Sequence, residues 1–274
     1  MKLKTDFTLN NKVIIVTGGT GVLGEAFVKG IVEAGGTACI LGRNEKIANE
    51  RAQSIIDSGG KAIALIADVT KESDLIAARD LVLSKFGKID GLVNAAGGNM
   101  PEAVIQPEQD IFKMNMGALQ EVMNLNLFGT VLPTQLFGEA IKNSVGTGSI
   151  VNISSVSTVQ ALTKVLGYSM AKSAIDSYTK WFAVELSNRY GDAIRMNSIA
   201  PGFFLTEQNR TLLTNTDGSL TARGNAIIHK TPFSRFGNPE ELIGALVWLL
   251  SDASKFVTGS KITVDGGFTI YSGV

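Results

Sequence analysis

The chain has 274 residues, 45% of them hydrophobic, which is enough for one sizeable core. Its 25 Lys plus Arg balance 25 Asp plus Glu, so no basic footprint points to nucleic acid or to an anionic membrane surface. No apolar run reaches the roughly 20 residues that span a bilayer, the opening MKLKTDFTLNNK has no apolar signal core, and the lone Cys39 excludes an internal disulfide and thiolate-rich zinc clusters. The expectation is a cytoplasmic protein with no nucleic-acid, membrane or metal partner.

Short apolar runs then alternate with longer amphipathic ones. VIIVT (13–17) reads as a buried strand, followed by a helix over GEAFVKGIVEAGG. TACIL (37–41) precedes a helix over 45–58, and KAIALIA precedes one over about 71–86. GLVNAA leads through a polar insertion to a helix near 115–143, and GSIVNIS leads to the helix in GYSMAKSAIDSYTKWFAVEL. AIRMNSIA is a sixth strand; KITVDGG, after the helix PEELIGALVWLLS, is a seventh. Strands of near-continuous Val, Ile and Ala are those buried on both faces of a parallel sheet. The alternation predicts an α/β fold over 1–274, a single doubly wound Rossmann domain with a seven-stranded parallel sheet. Residues 201–239 break the beat with a long polar stretch and no clear strand. Segments of that kind in compact domains tend to be functional, and Phe203, Phe204, Leu212 and Leu213 give this one something to bury, so 203–230 reads as a small substrate lid.

Two local patterns carry chemistry. The first is TGGTGVLG (17–24), where Gly19, Gly21 and Gly24 fall at a strand-to-helix junction. Glycines let backbone N–H groups approach a phosphate, and the helix N-terminus favours its charge. Gly18, Gly19, Thr20, Gly21, Val22, Leu23 and Gly24 are therefore candidate dinucleotide contacts. The second strand ends in Gly42-Arg43-Asn44, with no acid to meet an adenosine ribose. Arg43 suits a 2′-phosphate, whereas Thr20 stands where a basic residue would have helped the same phosphate, so NAD(H) and NADP(H) both stay open. The second pattern is Tyr168 and Lys172, four residues apart and so on one helical face. At about 4 Å and an effective dielectric near 20, an ammonium offers a phenolate roughly 4 kcal/mol of gross attraction. That is equivalent to as much as about three pKa units before desolvation opposes it.

With these motifs the chain resembles the short-chain dehydrogenase/reductase family over essentially its full length. The resemblance rests on TGGTGVLG, Asp68-Val69, NAAGG (94–98), NLFG (126–129), SIVNISS (149–155), Tyr168-Ser-Met-Ala-Lys172, Pro201-Gly202 and VDGG (264–267), in that order. It implies Tyr168 as general acid/base, Lys172 as the cation beside it and on the nicotinamide ribose, and Ser155 on the substrate oxygen. It implies Asn126 as holder of a water in a proton relay. Ser154 and Asn124 are the neighbouring alternatives to Ser155 and Asn126. It further implies Asp68 and Val69 near the adenine, Asn94, Ala95, Ala96 and Gly97 along the cofactor, Pro201 and Gly202 flanking the nicotinamide, and a homotetramer with VDGGFTIYSGV at a subunit contact. The glycine turn departs from the short single-domain branch, which has glycine where this chain has Val22. The stretches AAGGNMPEA, PGFFLTEQNR and LLTNTDGS resemble D-mannonate oxidoreductases, with gluconate 5-dehydrogenase-like enzymes as near relatives. The implied substrate is a small polyhydroxy acid. Candidates to hold it are Asn99, Lys164, Gln208 and Arg210, with Arg223 also in the lid segment.

Overall fold

The computed structural model describes residues 7–273, apart from the side chains of Glu207 and Gln208. Its strands are β1 (Val13–Thr17), β2 (Thr37–Gly42), β3 (Lys61–Ile66), β4 (Gly91–Asn94), β5 (Gly148–Ile153), β6 (Ile194–Pro201) and β7 (Lys261–Val264). β1, β2, β4 and β6 are buried at every position, as their unbroken apolar character requires. All seven pair in parallel in the order β3-β2-β1-β4-β5-β6-β7.

The helices are α1 (Val22–Glu33), α2 (Glu45–Asp57), α3 (Glu72–Phe86), α4 (Met116–Met123), α5 (Gly129–Ser144), α6 (Leu166–Tyr190), α7 (Glu207–Leu213), α8 (Ala222–Lys230) and α9 (Ile243–Leu250). Successive strand residues point to opposite faces, and the sheet therefore carries two cores. Ile14 and Val16 pack with Phe27 and Ile31 of α1, Ala48 and Ala52 of α2 and Leu246 and Leu249 of α9. Val13 and Ile15 belong to the other face, with Leu75 and Val82 of α3, Phe137 and Ile141 of α5 and Ala183 of α6.

The strand order reverses between β1 and β4, where Thr17 lies opposite Asn94. Open α/β sheets bind ligands in the crevice outside the strand ends at such a switch point. The register thus sets the glycine turn that follows Thr17 beside the AAGG loop that follows Asn94.

Two segments differ from the sequence expectation. The helix expected near 115–143 is interrupted by a π-helical turn over Asn124–Phe128, which carries Asn126. Single π turns inside α-helices are frequent at functional sites. The 203–230 segment contains α7 and α8 rather than irregular chain. Thr206 starts α7 in a reciprocal capping box with Asn209, and the Thr221 hydroxyl accepts from the Gly224 N–H at 3.0 Å to start α8. Both helices are too short for their few apolar residues to show a helical period.

Candidate active site

α6 begins at Leu166, so Tyr168 and Lys172 occupy its first turns, with the Lys172 ammonium 5.5 Å from the Tyr168 ring centroid. Ser155 follows β5 and is buried, its Oγ accepting from the Ser157 N–H at 3.1 Å. All three line one cavity of about 230 Å³. The neighbouring Ser154 donates to Asp176 Oδ1 at 2.5 Å, whereas the Ser155 hydroxyl is the group that acts on the Tyr168 phenol.

The electrostatics run against the simple Coulomb expectation. Burial pushes the Tyr168 phenol above its usual value, and the Ser155 hydroxyl pulls it back only in part. Burial also lowers Lys172 to about 8, opposed by the Asp176 carboxylate. The reason is desolvation, which disfavours the charged form of both partners at once. The Lys172 ammonium is held in place by the Ile153 carbonyl at 2.8 Å.

Asn126 is fully buried in the π turn, and its amide brackets Gly98. Oδ1 accepts from the Gly98 N–H at 3.0 Å, while Nδ2 donates to the Gly98 carbonyl at 2.7 Å and to the Val122 carbonyl at 2.8 Å. Those polar atoms position the AAGG loop. Asn124 is exposed. A Cβ on Gly97 would lie 2.6 Å from Asn126 Oδ1 and 3.3 Å from Lys172 Nζ, so only glycine lets these groups converge.

A second cleft, of about 640 Å³, adjoins the first through Leu23, Ala95, Gly97 and Thr206. Gly18, Thr20, Gly21, Val22, Gly24, Arg43, Asp68, Val69 and Ala96 complete the predicted part of its lining. Gly18 takes a left-handed φ of +66°, and a Cβ there would lie 2.8 Å from the Ala95 carbonyl. Gly21 caps α1 with no side-chain hydrogen bond, which leaves the first N–H groups of that helix for a phosphate. Burial raises the Asp68 carboxyl, but bonds from the Thr70 N–H and hydroxyl, with Arg43 and Lys71 nearby, outweigh it and hold the group below its ordinary range. Arg43 is exposed at the rim. The volume, the glycine cradle and the free helix end fit a nicotinamide dinucleotide.

Several expected contacts fall elsewhere. Asn94 turns into the sheet, donating to Thr134 Oγ1 and Asn152 Oδ1, both at 2.9 Å, because its position in a fully buried strand faces the core. Gly19 does not line the cleft; its N–H meets the Leu41 carbonyl at 3.0 Å. Pro201 and Gly202 line the smaller cavity. Arg51 was not anticipated. It reaches from α2 to donate from Nη1 to the carbonyls of Gly19 at 2.7 Å and Gly21 at 3.0 Å, and pairs with Glu25 at 2.5 Å. Its sequence signal is a cation on the stripe marked by the buried Ala48 and Ala52.

On the substrate side, Asn99 lines the smaller cavity, and its Oδ1 is buried without a hydrogen-bond partner. Lys164 does not line it; it sits at φ +75° with its carbonyl accepting from the Ile105 N–H at 3.0 Å. Arg210 is exposed on α7 and also lies off the lining. The Gln208 side chain falls outside the described ones. Arg223 does line the cavity, together with the apolar side chains of Phe203, Phe204, Leu212 and Leu213.

Residues 20–269 match the family model described as enoyl-(acyl carrier protein) reductase. UxuB of Bacillus subtilis (strain 168), an uncharacterized oxidoreductase, is 40% identical over an alignment that covers 97% of this chain and 98% of that protein. A crystal structure of a protein provisionally described as a D-mannonate oxidoreductase from Haemophilus influenza, with bound NAD, superposes with a TM-score of 0.88 at 40% identity over 97% of this chain and 98% of that one. A gluconate 5-dehydrogenase from Burkholderia cenocepacia J2315, in complex with NADP and tartrate, gives 0.84 at 32% identity over 97% and 98% of the two chains. The switch-point cleft, the Ser155–Tyr168–Lys172 cluster and these likenesses agree: the chain belongs to the short-chain dehydrogenase/reductase family and is an oxidoreductase that acts on CH–OH groups with NAD(H) or NADP(H).

Proposed function

We propose that the chain interconverts a ketone and a secondary alcohol on a sugar acid, with D-fructuronate and D-mannonate as the first pair and a gluconate 5-dehydrogenase-like keto-sugar reduction as the alternative. The observation that carries this reading is the cavity over Ser155 and Tyr168. At about 230 Å³ it is small, below the roughly 300–1,000 Å³ of drug-sized ligand sites. Among the described residues no Asp or Glu lines it, so it does not repel an anion. The names of the D-mannonate and gluconate neighbours point the same way.

The proposed chemistry follows from the positions of the side chains. In reduction, the hydroxyls of Ser155 and Tyr168 donate to the ketone oxygen and fix its place. As negative charge develops there, Tyr168 gives up its proton, and the Lys172 ammonium offsets the phenolate that remains. Oxidation runs the same steps in reverse. The nicotinamide, when bound, supplies or takes the hydride. Asn126 keeps the Gly98 loop against the site, and 203–230 acts as a lid over it.

Tyr168→Phe is expected to retain dinucleotide affinity and to lower kcat by about 10²–10⁴-fold; near-normal turnover would refute the role of the phenol. The apolar side chains that line the cavity support a second reading, an aliphatic or alicyclic ketone. A panel of hexonates, keto-hexuronates and apolar ketones, assayed with both cofactors, separates the two, and activity confined to the apolar ketones would overturn the sugar-acid assignment. We also propose that the enzyme works in the cytoplasm, where nicotinamide dinucleotides are kept, and as a homotetramer.

A further inference from the structure

The smaller cavity contains two polar features that the hydride chemistry leaves unused. Among the described residues two charged side chains line it, and one is Lys172, which is engaged behind Tyr168 with the Ile153 carbonyl. The other is Arg223, from the first turn of α8. Its Nη1 donates to Thr163 Oγ1 at 3.1 Å and its Nη2 to the Thr163 carbonyl at 3.5 Å. A guanidinium has five N–H donors in a rigid fork, so these contacts aim it without exhausting it. Burial shifts Arg223 downward, and no acid among the described residues opposes the shift. A half-buried cation with no carboxylate partner among the described residues is stabilised by an anionic ligand more than a solvated one would be.

The second feature is Asn99 Oδ1, buried and unpartnered. Leaving a buried acceptor unmade is costly, and an amide oxygen can be satisfied only by a donor. Asn99 is part of the cavity wall, so a rotation of its amide would present that oxygen to a donor in the cavity.

We propose that Arg223 binds the substrate carboxylate and sets the preference for acids, while Asn99 accepts from a substrate hydroxyl. This deepens the sugar-acid reading and rests on it. The proposal selects one cation from several: Lys164 and Arg210 do not line the cavity, and Arg223 does. It also gives α8 a function beyond covering the site. Thr163 lies in the loop between Ser155 and Tyr168, so the Arg223–Thr163 contact joins the lid helix to the catalytic segment. An acid substrate held by Arg223 therefore fastens the lid, whereas a neutral sugar of the same size does not.

The test is the ratio of kcat/KM for D-fructuronate to that for D-fructose, which lacks the carboxylate, measured on the wild type, Arg223→Gln and Arg223→Lys. Tm and NAD(P)H fluorescence titrations serve as checks that each variant is folded and holds cofactor. The wild type is expected to favour the acid. Arg223→Gln should lower the acid-to-neutral ratio at least tenfold, chiefly through KM for the acid, with Arg223→Lys in between. Asn99→Ala should raise KM for both sugars, because both present hydroxyls. Strong wild-type turnover of the acid that survives in Arg223→Gln would overturn the role of Arg223 and leave the sugar-acid reading standing. A wild type that does not favour the acid, or takes only apolar ketones, would overturn both.

Discussion

Asp176 lies one turn beyond Lys172 on α6 and sets the charge of the catalytic cleft from behind. Its carboxylate accepts from Ser154 at 2.5 Å and from Lys261 at 2.8 Å, and Lys261 also reaches Thr158 Oγ1 at 3.0 Å. Burial brings Lys172 down to about 8, and Asp176 opposes that shift. The ammonium is therefore present below about pH 8 and is lost as pH rises through that value. Reductive turnover, which uses the positive charge to offset the phenolate, should fall over the same range. Asp176→Asn removes the opposing charge, lowers Lys172 further and moves the alkaline loss to lower pH. A kcat/KM profile whose alkaline limb stays in place in that variant would contradict this account. The spacing of Tyr168 and Lys172 was legible in the sequence because it is a property of one helix. The direction of their pKa shifts was not, because it depends on what the tertiary fold places over them.

At the scale of elements, the phosphate turn is held by a neighbour distant in sequence. Arg51 on α2 ties the carbonyls of Gly19 and Gly21 to Glu25 of α1, with its side chain 19% exposed. Hydrogen bonds to charged groups contribute about 1.5–3 kcal/mol, and this set is discounted toward the lower end for its partial exposure. Arg51→Ala is expected to raise KM for the dinucleotide about tenfold, equivalent to about 1.4 kcal/mol, and to lower Tm by a few degrees; unchanged cofactor titration would remove Arg51 from the turn's support. The π turn is a similar case. NLFG marked Asn126, but its clamp on Gly98 follows from the π turn and from contact with a loop 28 residues away. In contrast, the glycine turn itself was readable, since its conformation is local and excludes side chains.

The whole molecule leaves several large apolar side chains in water. Trp181 is 62% exposed and Val184 58%, on the face of α6 opposite Ile175 and Thr179, and Phe128 of the π turn is 56% exposed. Large exposed apolar side chains that gather on one face mark an interaction site. In the proposed homotetramer this face would be covered by another copy. Trp181→Glu is expected to shift light-scattering mass toward smaller species, with wild-type far-UV circular dichroism; a wild-type mass at micromolar concentration would exclude this face as a subunit contact. What the sequence by itself determined is the alternation of strands and helices, the parallel sheet, the phosphate turn and the Ser155, Tyr168 and Lys172 trio. Each of these is encoded in local periodicity, in backbone freedom or in fixed spacing. Only the tertiary structure decided that Asn94 faces the core, that Asn126 clamps a loop, that Arg51 braces the turn and that Arg223 rather than Lys164 or Arg210 reaches the cavity. These depend on which side chains meet across the fold, and a desolvated site assembled from several separate segments has no signature within any one of them.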